Sequence, residues 1–202
     1  MPERAASLQC AGRKGITGWV IGINSVSRRS ATIEPAVFEL QRISKDSIPG
    51  ALEKAQRYRL LNEPVMAESI CLDILEVDEH NQQALVMLIL ALSDQFGHSA
   101  PSELAKARDL LLRLTDEYER VYYAGILAER RATALLEQGG GGRGYVAYDL
   151  YREAMQCYEQ ARKLAAAGVD DPILRWNTCA RLIKKNPHVR PAPEDAGEHM
   201  LE

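Results

Sequence analysis

A short stretch of the sequence, residues 154–161 (AMQCYEQA), places one large ring between two small residues on a single helical face. Positions three or four residues apart share a side of an α-helix, so Ala154, Tyr158 and Ala161 form a stripe that Leu150 and Tyr151 extend. Small residues let neighbouring backbones approach closely, and a ring fills the space that remains. The pattern therefore predicts a helix that packs between other helices.

Helical periodicity continues through most of the chain after Pro49. Pro49 and Pro64 suit the first turn of a helix, and Asn81 suits an N-cap. Breaks are predicted at residues 62–64, 78–81, 97–101, 139–144 and 168–172. These signals predict an all-α domain over residues 45–186 with no strand and seven helices, at about 49–61, 65–77, 82–96, 102–114, 117–138, 146–167 and 173–185.

The two ends of the chain lack this periodicity. Residues 1–33 mix Gly, Ser and Arg, so we expect residues 1–44 to be a mobile extension, with one short amphipathic helix at residues 35–44. Residues 187–202 hold three prolines and several acidic residues, which predicts a disordered acidic tail.

Charge and composition exclude several classes of protein. The net charge of -3 gives no general attraction to nucleic acid or to anionic lipid. The longest early apolar run, residues 16–23, is far shorter than the ~20 residues that span a bilayer. The four cysteines are widely separated and the histidines are isolated, so no zinc site is predicted and we expect reduced thiols in a cytoplasmic protein.

Paired small and large residues recur along the predicted helices. They are Ala55 and Tyr58, Ala67 and Cys71, Ala107 and Leu111, Ala154 and Tyr158, and Trp176 and Ala180. This arrangement resembles the tetratricopeptide repeat (TPR), a helix pair of roughly 34 residues. The resemblance needs insertions at residues 97–101 and 139–144, and in the third pair either Gly125 or Ala128 can take the small position.

The resemblance implies a short solenoid of stacked antiparallel helix pairs, in which the first helix of each pair lines a groove for a partner protein or peptide. It places Leu52, Gln56 and Arg59 in the groove for the first pair. For the second pair it places the apolar residues Leu85, Ile89 and Leu92 there. Neither set matches the Lys and Asn residues with which chaperone-binding members of this family hold a peptide carboxylate.

The last predicted helix carries a second candidate surface. Asn177, Arg181 and Lys184 follow one another at helical spacing, beside Trp176. Two cations and an amide favour carboxylates, so these residues predict an acidic partner. The alternative is a solvated outer face on a helix that caps the solenoid.

Seven of the eight tyrosines lie between residues 118 and 158. Core packing is the ordinary interpretation, and a partly exposed surface for a partner is the alternative, because Tyr is common at interface hot spots.

No set of residues predicts catalysis. The Gly-rich residues 139–144 follow a helix and lack the Gly-Lys-Ser/Thr ending of a phosphate-binding loop, so they are interpreted as a flexible connection. We therefore expect an interaction module or adaptor that is not an enzyme and has no cofactor. The alternatives are self-association through the apolar residues 84–92, a ligand carrier or enzyme that uses the groove as a pocket, and an ordinary helical bundle.

Overall fold

The computed structural model describes residues 38–193, of which residues 98–101 are described by their backbone alone. From Leu40 onward they belong to one compact unit. All regular structure in this part of the chain is helical, as the sequence predicts. A 3-10 turn (Lys45–Ser47) precedes seven α-helices: α1 (Ile48–Leu60), α2 (Pro64–Val77), α3 (Gln82–Ser93), α4 (Phe96–Leu111), α5 (Glu117–Gln138), α6 (Arg143–Leu164) and α7 (Asp171–Lys185).

Local chemistry explains where most of these helices begin. Pro49 and Pro64 occupy the first turns of α1 and α2, where a missing N–H costs nothing. The Asn81 side chain accepts a hydrogen bond from the Ala84 backbone N–H (3.0 Å), which confirms the predicted N-cap of α3. Asp116 caps α5 in the same way through the Tyr118 N–H (2.8 Å).

Each helix packs against the next one along the chain, and α1 and α5 also contact α3. Thus α1 and α5 flank α3 in one row of helices. The central position of α3 explains its composition, since a helix covered on most sides has to be apolar nearly all round.

The first hydrophobic core is built around α3. Leu85, Leu88, Ile89 and Leu92 are buried there against small residues of α1, α2 and α4. Leu85, Ile89 and Leu92 were expected to line a groove, and that expectation is wrong. Neighbouring helices cover them, so they stabilise the fold by removing apolar surface from water.

The second core contains the stripe that the sequence predicts on α6. Ala154, Tyr158 and Ala161 are all buried, and the Tyr158 ring lies over Gly125 of α5. A Cβ atom added to Gly125 would lie only 2.7 Å from Tyr158 Cε1. Between the two small residues considered for this contact, Gly125 is therefore the one at the point of closest approach, although Ala128 is also buried.

The connection between α3 and α4 differs from the prediction. The break expected at residues 97–101 lies inside α4, and the chain turns earlier, after Ser93. Local groups satisfy the end of α3, because the Asp94 N–H donates to the Leu90 carbonyl (3.0 Å) and the Gln95 N–H donates to the Leu92 carbonyl (3.1 Å). Arg130 of α5 adds hydrogen bonds to the Leu90 carbonyl (3.0 Å) and to Ser93 Oγ (2.6 Å). The turn at this point therefore needs neither glycine nor proline.

The structure describes only parts of the predicted N-terminal extension (residues 1–44) and of the predicted C-terminal tail (residues 187–202). Residues 38–44 of the expected helix at 35–44 have no regular secondary structure, and Leu40 is exposed. At the other end, Val189 is buried in the second core, so the first residues of the predicted tail are packed. The His188 carbonyl lies so close to Gly144 that a Cβ atom there would overlap it. The predictions for residues 1–37 and 194–202 fall outside the described residues.

Candidate partner-binding surface

A cleft of about 480 Å³ opens where α1, α3 and α5 lie side by side, and we call it the α1–α3–α5 cleft. Leu52 of α1 and Val86 and Met87 of α3 form its apolar wall. Gln56 and Gln83 add amide groups that can both donate and accept hydrogen bonds. The amide of Gln82 also lines the cleft, but it already donates to the His80 carbonyl (2.9 Å) and accepts from the Thr115 N–H (2.9 Å).

Two carboxylates supply the charge in this cleft. Glu53 belongs to α1 and Glu119 to α5, and no Lys or Arg is among the residues that line the cleft. Neither carboxylate forms an ion pair with any residue that the structure describes. Partial burial raises the pKa of Glu119, and the nearby charge of Asp116 adds to the increase.

Arg59, which was predicted to lie beside Gln56, is committed to another contact. Its Nε atom donates to Asp94 Oδ2 at 2.8 Å, and its side chain is only 18% exposed. Asp94 also accepts from Arg130 of α5. Arg59, Asp94 and Arg130 therefore join α1, the end of α3 and α5, and burial lowers the pKa of Arg130.

A second set of polar contacts joins α5, α6 and α7. Glu129 is buried, accepts from the Tyr158 hydroxyl (2.6 Å) and pairs with Arg175 (3.1 Å). Burial and the neighbouring Glu129 carboxylate raise the pKa of Tyr158. We call these groups and the Arg59–Asp94–Arg130 set the inter-helix charge network. Its members already bind one another, which favours a structural role over a reaction centre.

The predicted set on α7 lies apart from the α1–α3–α5 cleft residues. Asn177 lines a smaller cleft of about 380 Å³ between α6 and α7, together with Trp176 and Arg162. The Trp176 indole N–H donates to Glu159 (2.9 Å), so this ring is held against α6. Arg181 and Lys184 are exposed and form no ion pair within residues 38–193. The five predicted site residues thus fall into three environments. Gln56 lines the α1–α3–α5 cleft, Arg59 belongs to the inter-helix charge network, and Asn177, Arg181 and Lys184 lie on α7.

The apolar residues 84–92 do not form an exposed seam. Six of them are buried, namely Ala84 and five members of the first core: Leu85, Leu88, Ile89, Ala91 and Leu92. Self-association through this set, which the sequence suggested, is therefore wrong, because the surface is already covered by other helices of the same chain.

The cysteines of the described region are placed for packing. Cys71 and Cys179 are fully buried, and burial raises the pKa of each thiol to about 12. Burial also raises the pKa of the Cys157 thiol. A thiol must lose its proton to act as a nucleophile, so these environments oppose catalysis by these three residues.

Residues 38–193 contain no group of three or more His, Cys, Asp or Glu side chains arranged to hold a metal ion. Within the same residues, no helix combines the length and the hydropathy needed to cross a bilayer.

The chain was compared with known proteins at three levels. No protein-family model matches the sequence, no curated protein is detectably similar to it, and no solved structure matches it.

Proposed function

We propose that the chain is a TPR-like helical-repeat protein that binds a segment of a partner protein in the α1–α3–α5 cleft and has no chemistry of its own. The observation that carries the proposal is the composition of the cleft wall: the first helix of each of three consecutive helix pairs contributes to it. Stacked helix pairs create such extended surfaces, and these proteins use them for binding.

The positions of two residues support this proposal. Leu52 and Gln56 take groove positions in the resemblance to the repeat family, and both line the cleft. The apolar wall and the amides beside it suit the side chains of a peptide, which need a dry contact and a few hydrogen bonds.

The other hypotheses have less support from the described residues. Catalysis needs a convergent set of reactive groups, and the cleft offers two carboxylates and three amides but no His, Cys, Ser or Lys. Self-association through the apolar residues 84–92 of α3 is not supported, because other helices of the chain cover this surface. The basic surface of α7 remains a prediction for an acidic partner, and the experiment below includes it.

Site-specific photo-crosslinking tests the proposal. A photoreactive amino acid replaces Gln83 in the cleft, Gln156 on α6 as the matched control, or Arg181 on α7. All three side chains are exposed, so the replacements should leave the melting temperature nearly unchanged. Native extract is irradiated with each variant, and adducts are identified by mass spectrometry.

The proposal requires an adduct with one defined protein at position 83 and not at position 156. Adducts only at position 181 would move the binding surface to α7. Adducts between two copies of the chain at position 83 would indicate self-association. Equal labelling at all three positions would show that the cleft does not select a partner.

A further inference from the structure

We infer that the occupant of the α1–α3–α5 cleft is a peptide segment in which a Lys or Arg lies next to apolar side chains. This inference rests on the proposed function and adds the chemistry of the partner. It also gives the cleft the opposite preference from the basic face of α7, which was predicted to bind an acidic surface.

The first argument is the uncompensated negative charge. Glu53 and Glu119 come from the two helices that flank α3, and the cleft contains no cation of its own. Glu119 is partly buried and Glu53 is exposed at the rim, and carboxylates without a partner at such a cleft favour a ligand that brings a positive charge.

The second argument is that two arginines beside the cleft residues in sequence have other partners. Arg59 lies one turn beyond Gln56 and pairs with Asp94. Arg120, next to Glu119 in sequence, donates to the backbone carbonyl of Leu114 (2.8 Å). Neither guanidinium forms an ion pair with Glu53 or Glu119, although Arg59 Nη1 lies 3.9 Å from Met87 Sδ in the cleft wall. A cation supplied by the ligand can therefore pair with both carboxylates.

The third argument is the apolar wall beside the charge. Leu52, Val86 and Met87 line the same cleft as the two carboxylates. A Lys or Arg whose neighbours are apolar would satisfy both parts of this surface, since the long aliphatic stem of either residue packs on apolar groups while its head reaches a carboxylate. An acidic segment would be repelled, and the chain's net charge of -3 adds to that selection.

An array of short random-sequence peptides, in which net charge and apolar content vary independently, tests the inference on the full chain. Retained peptides should contain Lys or Arg beside Leu, Ile, Val or Phe. They should form an adduct at the photoreactive position 83 and bind less tightly as the salt concentration rises.

Two double variants then separate the charge from the shape of the cleft. Glu53→Gln with Glu119→Gln keeps the side-chain size and should weaken binding of a retained basic peptide about tenfold. Asp149→Asn with Glu153→Gln removes the same charge from exposed positions on α6 and should change binding less than about twofold. Thermal melts verify that both fold, and the exposed single variant Glu53→Gln, expected to weaken binding about threefold, is decisive if the first double variant unfolds.

Peptides that crosslink at position 83 but are acidic or uncharged would overturn this inference and leave the proposed function intact. Unchanged binding of basic peptides by the folded Glu53→Gln, Glu119→Gln variant would also overturn it. If no peptide and no extract protein crosslinks at position 83, the proposed function fails, and this inference fails with it.

Discussion

The helices before and after residue 115 form cores of different chemistry. In the first part, α1–α4, the core consists of aliphatic side chains around α3, with Phe96 as its buried ring. In the second part, α5–α7, the core contains Tyr151 and Tyr158, and buried Glu129 lies among them. Every buried side-chain N or O atom in the described residues has a hydrogen-bond partner.

This difference affects how each part tolerates change. Aliphatic contacts have no direction, so a core like that around α3 can accept a side chain of similar volume with little loss of stability. Polar contacts inside a core have fixed geometry, and losing one partner leaves the other without hydrogen bonds in a poorly hydrated site. We therefore expect the second part to be the more sensitive one, and four predictions test this contrast.

The largest effect should come from replacing Glu129. Glu129→Leu leaves Arg175 and the Tyr158 hydroxyl without their shared partner. We expect a loss of about 2–4 kcal/mol in the free energy of unfolding, less than for a fully buried pair because Arg175 is 36% exposed. Leu88→Met in the first core conserves volume and should cost less than about 1.5 kcal/mol. Urea unfolding of both variants measures the difference, and equal losses would remove the contrast.

The second largest effect should come from Ala154, one of the two small residues in the stripe with Tyr158. Ala154→Leu adds three heavy atoms at a position with no exposed surface, and overpacking should cost about 1–3 kcal/mol. Gln160→Leu makes a change of similar chemistry on the exposed side of the same helix and should cost less than about 0.5 kcal/mol. If thermal melts show the two variants alike, α6 does not pack between neighbours as described.

Two glycine substitutions, one on α5 and one on α1, test the close packing of α5 against the Tyr158 ring. Alanine normally stabilises a helix relative to glycine, but Gly125→Ala would place its Cβ 2.7 Å from the Tyr158 ring. We expect a net loss of about 1–2 kcal/mol. Gly50→Ala on α1 meets nothing within 4 Å and should be neutral or stabilising by up to about 1 kcal/mol. Opposite signs in denaturant unfolding support the close approach, and a gain in both would contradict it.

The fourth prediction concerns the loss of stability at alkaline pH. Burial raises the pKa values of Tyr118 and Tyr123 to about 12, and that of Tyr158 is raised as well. Unfolded tyrosines ionise near pH ~10, so the stability that these phenols contribute is complete below that pH and is lost above it. A tyrosine that stays protonated can cost at most about 1.4 kcal/mol per pH unit, and the less buried Tyr118 should contribute clearly less because water screens its charge.

Unfolding curves followed by tyrosinate absorbance measure this loss between about pH 10 and about pH 12. Tyr158→Phe is the matched variant, because it removes one of the groups that ionise at alkaline pH. It should also lower stability at neutral pH. Its stability should therefore fall less steeply with pH than that of the unaltered chain. Parallel curves would show that Tyr158 does not titrate in this way.

The sequence predicts features that depend on near neighbours in the chain. Helical periodicity, the prolines at residues 49 and 64 and the Asn81 cap locate helices, because each acts within a turn or two. The Ala154–Tyr158–Ala161 stripe predicts its own burial for the same reason. Leu52 and Gln56, which the resemblance to the repeat family places in a groove, line the α1–α3–α5 cleft.

Features that depend on distant residues were missed or misplaced. The break after α3 is predicted at the Gly-Pro region of residues 97–101, whereas α3 ends at Ser93, where Arg130 of α5 adds hydrogen bonds from a distant part of the chain. Arg59 looked like a groove residue because its partner Asp94 lies 35 residues away. Buried Glu129 had no signal in the sequence, since a charge inside a helix is usually solvated.

The surroundings of Gly144 limit which substitutions this chain can accept during evolution. The four consecutive glycines at residues 139–142 are the same residue type as Gly144, but the selection on these positions differs. Gly141 has nothing near its missing side chain and no unusual backbone angle, so mutation there should persist as neutral variation. Any side chain at Gly144 would overlap the His188 carbonyl, and a backbone atom cannot move aside as a flexible side chain can. Selection should therefore retain glycine at position 144 because of this backbone contact, whereas the positive φ angles of Gly139, Gly140 and Gly142 restrict substitution there for a different reason.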